Sequence, residues 1–189
     1  MFGYLIAYFF FINGVYTIID MATAYGSALD LDSTGLLLAL LLPQIVAFPC
    51  AIIFGLFSAK YDTGLLIKVC IFCYTCITII GMFLATLWQF WVLAELVGMF
   101  QGGIQSLSRS YLGKIIDPER SGEFYGLMDI CGKGAAFLGT TLVAFISQIT
   151  TGIERLKLQN ENLAVGSLVV LFIIGFILFC KADKLNKAR

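Results

Sequence analysis

The stretch GMFQGGIQSLSRSYLGKIIDPERSGEFYGLMDICGKGAAFLGT, residues 98–140, decides how this chain is read. It opens apolar and rich in small residues, gathers Arg109, Lys114, Asp117, Glu119, Arg120 and Glu123 around Pro118, and then turns apolar again. Two apolar arms around a short charged turn are what a pair of membrane-crossing helices requires, because backbone polar groups in lipid are satisfied only in helices or closed barrels. Extended outward, the arms cover about 87–107 and 124–149, and four more apolar stretches run over about 2–25, 34–57, 65–85 and 163–180. Each is long enough for a hydrocarbon layer of about 30 Å at 1.5 Å per residue. The expected fold class is an all-α membrane protein of six transmembrane helices, one domain over 1–189 with a short basic tail at 181–189.

Composition agrees. Of 189 residues 60% are apolar and 13% charged, with mean hydropathy +0.94, whereas soluble domains carry about 25% charged residues. A water-soluble globule is excluded. A net charge of +0 gives no basic face for nucleic acid. The absence of histidine removes imidazole ligands, Ser/His and Cys/His nucleophiles and imidazole relays. The first stretch has no basic start or small-residue cleavage site and carries Asn13 and Asp20 in its interior, so it reads as a mature helix and not a signal peptide.

The basic residues set an orientation. With six crossings, one face holds Lys60, Lys68, Arg109, Lys114, Arg120, Lys181, Lys184, Lys187 and Arg189, and the other holds only Arg155 and Lys157. The positive-inside rule then places both termini in the cytoplasm. Trp88 and Trp91 fall at the outer boundary and Tyr61, Tyr111 and Tyr125 at the inner one, where aromatic belts form.

Asp20, Glu95, Asp129 and Lys133 lie within the expected spans, where each costs about 2.5–3.5 kcal/mol near a helix centre. Asp129 and Lys133 are four apart, so they share a helix face and can neutralise one another, either as a packing ion pair or as a solute or gating contact. Neither Asp20 nor Glu95 has an oppositely charged residue one turn away in sequence. If the six helices form two repeats, about 1–85 and 86–181, these acids occupy equivalent helices. A carboxyl held out of water keeps its proton more readily, as proton coupling requires; at the interface it does nothing. Cys70, Cys73 and Cys76 have a CxxCxxC spacing, but on a helix they spread around one side and read as small apolar residues. Cys50, Cys131 and Cys180 add no disulfide framework. Gly98 and Gly102, joined by Gly103, and the Gly134, Ala135 and Gly139 face read as close helix packing. Pro43 and Pro49 are expected to bend the second helix. No residue points to catalysis, a metal or an organic cofactor.

Residues 98–140, with the QGGIQSLSRS helix end, the short Pro-containing turn and EFYGLMDICGKGAAFLG, resemble the vacuole effluxer family of the major facilitator superfamily. FFINGVYTI in the first helix is similar to the family's polar segment, with Asn13 alone where that pattern has an Asn-Asp pair. In GLFSAKYD, residues 55–62, Gly55 and Lys60 match the superfamily's inner-loop pattern, while Ala59 stands in place of its acid and Asp62 in place of its later glycine. The resemblance covers the C-terminal half of a family member and implies a half of a major facilitator fold, two inverted three-helix repeats whose first and fourth helices line a cavity, second and fifth meet the other half, and third and sixth face lipid. It implies pairing, either with a second copy as a parallel homodimer or with a separate six-helix N-terminal half, and export of a small polar solute such as an amino acid. Asp20, Glu95, Asn13, Gln101 and Gln105 become solute or proton candidates. Asp129, Lys133, Arg109 and Lys60 become gating or ion-pair candidates, with Arg109 of the matching Ser108-Arg109-Ser110 either gripping neighbouring helix ends or anchoring the inner boundary. The expected location is the cell membrane of a bacterium or the vacuolar membrane of a fungus. Competing readings are a non-transporting membrane subunit or scaffold and a truncated half of a split transporter; an intramembrane aspartyl protease is set aside because no Gly-x-Gly-Asp run surrounds Asp20 or Asp129.

Overall fold

A computed structural model describes residues 1–28, 33–83, 87–151 and 160–187. Among them are six α-helices: α1 Phe2–Ala28, α2 Ser33–Lys60, α3 Thr63–Gly81, α4 Leu87–Ile115, α5 Ser121–Thr151 and α6 Asn160–Lys187. A 3₁₀ turn, Pro118–Arg120, leads into α5, with proline in the first turn, where a missing N–H costs nothing. Asp62 caps α3, its Oδ1 accepting from the Gly64 N–H at 3.3 Å.

Every expected stretch forms a helix, and two run well past their apolar windows. α4 continues to Ile115, and α6 continues through 181–187, so the expected basic tail is the last turns of a helix. Hydropathy ends where hydrocarbon ends; helical hydrogen bonding continues wherever side chains anchor it. Among the described residues four segments are long and apolar enough to cross a membrane: Phe2–Asp20, Leu40–Lys60, Thr63–Gly81 and Pro118–Phe145. α4 carries Gln89, Glu95, Gln101, Gln105 and Arg109 along its length. Arg155, Lys157 and Arg189 of the charge argument lie outside the described residues, as does the end of the third stretch.

α1 packs between α5 and α6, α4 packs between α2 and α3, and α3 meets α6. Exchanging the first three helices for the last three maps this pattern onto itself. Glycines carry the closest seams. A Cβ at Gly102 would lie 2.1 Å from the Ala47 carbonyl oxygen, and one at Gly98 would lie 2.5 Å from that of Pro43, so the α2–α4 backbones touch. This is the small-residue contact that substitutes in lipid for hydrophobic driving force. The α1–α6 seam interlocks two pairs, Gly14 under Phe172 and Gly175 against the Phe11 backbone. Tyr74 stacks on Phe172 with ring centroids 5.6 Å apart, in a core that also holds Tyr4, Phe11 and Phe179.

One end of the bundle is held by charge. Asp183, 1% exposed on α6, takes Lys68 Nζ of α3 at 2.5 Å and the Tyr111 hydroxyl of α4 at 3.1 Å. Lys187 reaches Asp183 at 3.4 Å and also pairs with Asp62. Gly64 is required beside this cluster, because a Cβ there would lie 2.5 Å from Asp183 Oδ1. Lys114 Nζ donates to the Ser58 carbonyl and the Thr63 hydroxyl, each at 2.6 Å. Met1 and Asn186 line one cavity of about 370 Å³ with Lys114 and Arg120, so both ends of the helical chain lie at this end of the bundle. Two expectations change here. Tyr111 is buried and bonded to Asp183, not a belt residue. Lys60 is exposed, and the ion pair at its turn is made by Asp62 and Lys187, because Asp62 points from the α3 cap toward the end of α6.

Candidate functional site

The outer surfaces of the helices differ in chemistry. α3 exposes Leu65, Val69, Phe72, Ile79 and Ile80, and α6 exposes Val170, Ile173, Ile174 and Ile177. These faces suit acyl chains. α5 exposes Ile130, Phe137, Leu138, Leu142 and Phe145 but sets Asp129 and Lys133 among them, and Lys133 lies near the middle of the segment Pro118–Phe145. Charged residues at such a depth face protein or water.

The polar side of α5 meets α4 and α1. Arg109 Nη2 of α4 donates to Asp129 Oδ1 at 2.9 Å, with both side chains more than half exposed. The Tyr125 hydroxyl donates to the Arg109 carbonyl at 3.1 Å, tying α5 to the same turn of α4. Tyr8 and Tyr16 of α1 stand over Gly132, where a Cβ would lie 3.5 Å from the Tyr8 oxygen and 3.6 Å from the Tyr16 ring. Glycine at 132 thus lets two tyrosines approach the helix that carries the charges.

The expected Asp129–Lys133 pair is replaced: the ion partner of Asp129 is Arg109. Arg109 reaches across from α4 with a planar fork of donors, whereas an i,i+4 pair within one helix gains only about 0.2–0.5 kcal/mol. Asn13 does not face open space. It is 5% exposed in the α1–α5 seam, its Oδ1 accepting from the Thr17 hydroxyl at 3.3 Å, and a Cβ at Gly139 would lie 2.1 Å from that oxygen. Gln101 is 8% exposed and Gln105 half-buried on α4. Gln101 Oε1 and Ser108 Oγ, seven residues apart on α4, are buried with no hydrogen-bond partner among the described residues, which is where a water or a polar solute is called for. Asp20 and Glu95 are both exposed, on α1 and α4. Cys70 is buried in the core, and Cys73 and Cys76 are half-buried around α3. The residue that sequence reasoning missed is Asp183; its signal was the acid four places before Lys187, a helical pairing distance.

A helical bundle with several segments able to span a membrane, carrying charge in the middle of one exposed helix, is a polytopic membrane protein with a polar face. The chain belongs to the vacuole effluxer Atg22 like family, whose model matches residues 1–189. It is 40% identical over 178 residues to a protein of Bacillus subtilis (strain 168) named "Uncharacterized MFS-type transporter YxiO", covering 94% of this chain and 40% of that protein. It is 29% identical over 115 residues to "Autophagy-related protein 22-1" of Emericella nidulans, covering 50% of this chain and 20% of that one, and 34% identical over 68 residues to the protein of that name in Penicillium rubens, 36% and 12%. The chain thus spans well under half the length of these relatives. No solved structure matches it.

Proposed function

We propose that this chain is a six-helix half of a major facilitator transporter, built of two inverted three-helix repeats, and that it forms a solute pathway on pairing with a second half. The observation that carries this reading is the exposed polar face of α5, with Lys133 in mid-span and the Arg109–Asp129 pair beside it. Such a face is stable in a bilayer only against water or protein. The packing pattern, unchanged when the first three helices are exchanged for the last three, supports the repeat reading. The apolar outer faces of α3 and α6 are compatible with lipid; α2 exposes an apolar face as well, with Leu41, Ile45, Phe48, Ile52 and Leu56.

The second half is a second copy, in a parallel homodimer, or a separate N-terminal six-helix unit; α2 and α5 form the sliding contact. Both termini face the cytoplasm. The solute is small and polar, such as an amino acid, and it is exported by alternating access. The family description, vacuole effluxer, supports that direction. Coupling to protons runs through Asp20 or Glu95. A non-transporting membrane subunit would explain the helices but gives no role to a mid-span lysine.

Reconstitution tests the reading. Proteoliposomes containing the chain, alone or with an N-terminal half, accumulate or release labelled amino acids faster than protein-free vesicles. Asp20→Asn and Glu95→Gln are then compared under an imposed pH gradient, and loss of the pH-driven component in one of them identifies the coupling acid. Equal flux with and without protein contradicts the transporter reading, and unchanged pH dependence in both variants removes the two acids from the mechanism.

A further inference from the structure

We infer that Lys133 is the binding residue for a carboxylate group of the transported solute; the inference rests on the transporter reading above. Lys133 is exposed on α5 near the middle of the segment Pro118–Phe145. Among the described residues no carboxylate lies within ion-pairing distance of its ammonium. The acid on its own face, Asp129, is held by Arg109 at 2.9 Å.

The other two acids on this side of the bundle stand at a different depth. Arg109 marks the level of Asp129. Glu95 is fourteen residues along α4 from Arg109, about 21 Å, while Lys133 is four residues along α5 from Asp129, about 6 Å. They are therefore separated by about 15 Å along the bundle axis. Gly139 touches Thr17 and lies six residues beyond Lys133. Asp20 lies three residues beyond Thr17 in the same direction, which puts it about 13 Å from the level of Lys133. Neither acid can neutralise the lysine where it sits. Tyr16, half-buried against Gly132 beside it, brings an aromatic ring and a hydroxyl to the same level.

One uncompensated positive charge next to an intact Arg–Asp pair matches a singly charged anion. A phosphate ester carries nearly two charges and three acceptor oxygens and would call for a second free cation. A carboxylate fits with a single charge-assisted hydrogen bond to an ammonium. A carboxylate side chain from the other half is the competing occupant, and the test separates the two.

Ligand-induced thermal stabilisation of the chain in nanodiscs, both by itself and co-reconstituted with an N-terminal half, is measured with the twenty common amino acids, acetate, lactate and succinate, and with the amide of whichever acid stabilises most. At least one carboxylate raises the melting temperature and its amide does not. Lys133→Gln weakens that acid by about ten- to a hundredfold, the range for a charged hydrogen bond, and Lys133→Arg recovers most of it. Acid and amide binding alike in the wild type overturns the carboxylate assignment without any variant and leaves the transporter reading standing. So does undiminished binding by Lys133→Gln, which, together with a lowered melting temperature of the unliganded protein, assigns the lysine to an acid of the other half. No stabilisation by any probe overturns the assignment and counts against a solute site altogether.

Discussion

Asp62 and Lys187 show how single residues set the charged end of the bundle. The Lys187 ammonium holds the Asp62 carboxyl below its ordinary value, and Asp62 in turn holds the Lys187 ammonium above its own. The depressed carboxyl contributes stability above the unfolded value of about 3.9 that is lost as pH falls through the folded value; the raised ammonium contributes stability below about 10.4 that is lost as pH rises through its folded value. Both side chains are about half exposed, so the contribution is small. Thermal unfolding in detergent should therefore show a shallow acid-limb loss below about pH 4 that Asp62→Asn abolishes; an identical acid limb in the variant would show that the pair contributes nothing. Asp183 is a harsher case. It is 1% exposed between the part-exposed Lys68 and the buried Tyr111, and leaving a buried group without its partner costs about 1–3 kcal/mol. Asp183→Ala should lower the melting temperature far more than Asp62→Asn does, and Asp183→Asn, which keeps an acceptor for Tyr111, should fall between them.

At the scale of helices, the seams depend on missing side chains. A Cβ at Gly139 would lie 1.9 Å from the Thr17 hydroxyl oxygen, whereas one at Gly55 would meet nothing within 4 Å. Gly139→Leu is expected to destabilise by about 1–3 kcal/mol through overpacking of α1 against α5, and Gly55→Ala to leave the melting temperature unchanged or raised, as glycine gives way to a better helix former. A Gly139→Leu protein that melts like the wild type would contradict the packing described. The helices themselves were legible because apolar length is a property of each segment alone, and the Gly98/Gly102 spacing already announced a close neighbour. Which neighbour was not legible, since nothing local in α4 names α2 as the partner. The partner of Asp129 was not legible for the same reason, since Arg109 lies on another helix. Asn13 reads as aimed at a cavity although Thr17, one turn along α1, already offers it a hydroxyl. The tail at 181–187 was misread because lysines suggested solvent, while Asp183 among them turned inward to Lys68.

At the scale of the whole molecule, the faces divide: α2, α3 and α6 are apolar outside, and α5 carries charge in mid-span. The proposed pairing would give the charged face its cover. Crosslinking from single cysteines at exposed positions of α2 or α5, such as Phe48 or Phe137, should yield covalent dimers or adducts with an N-terminal half, and cysteines at Ile177 on α6 should not. A solute pathway needs the α5 face to be wet or protein-covered, and the power-saturation accessibility of a nitroxide placed at residue 133 in bilayers, with one at residue 177 as reference, measures this. The label at 133 should be reached by a water-soluble nickel chelate, or shielded from chelate and oxygen alike, while the one at 177 is reached by oxygen. A label at 133 as open to oxygen and as closed to the chelate as the one at 177 would place this face in acyl chains and rule out a solute pathway along it.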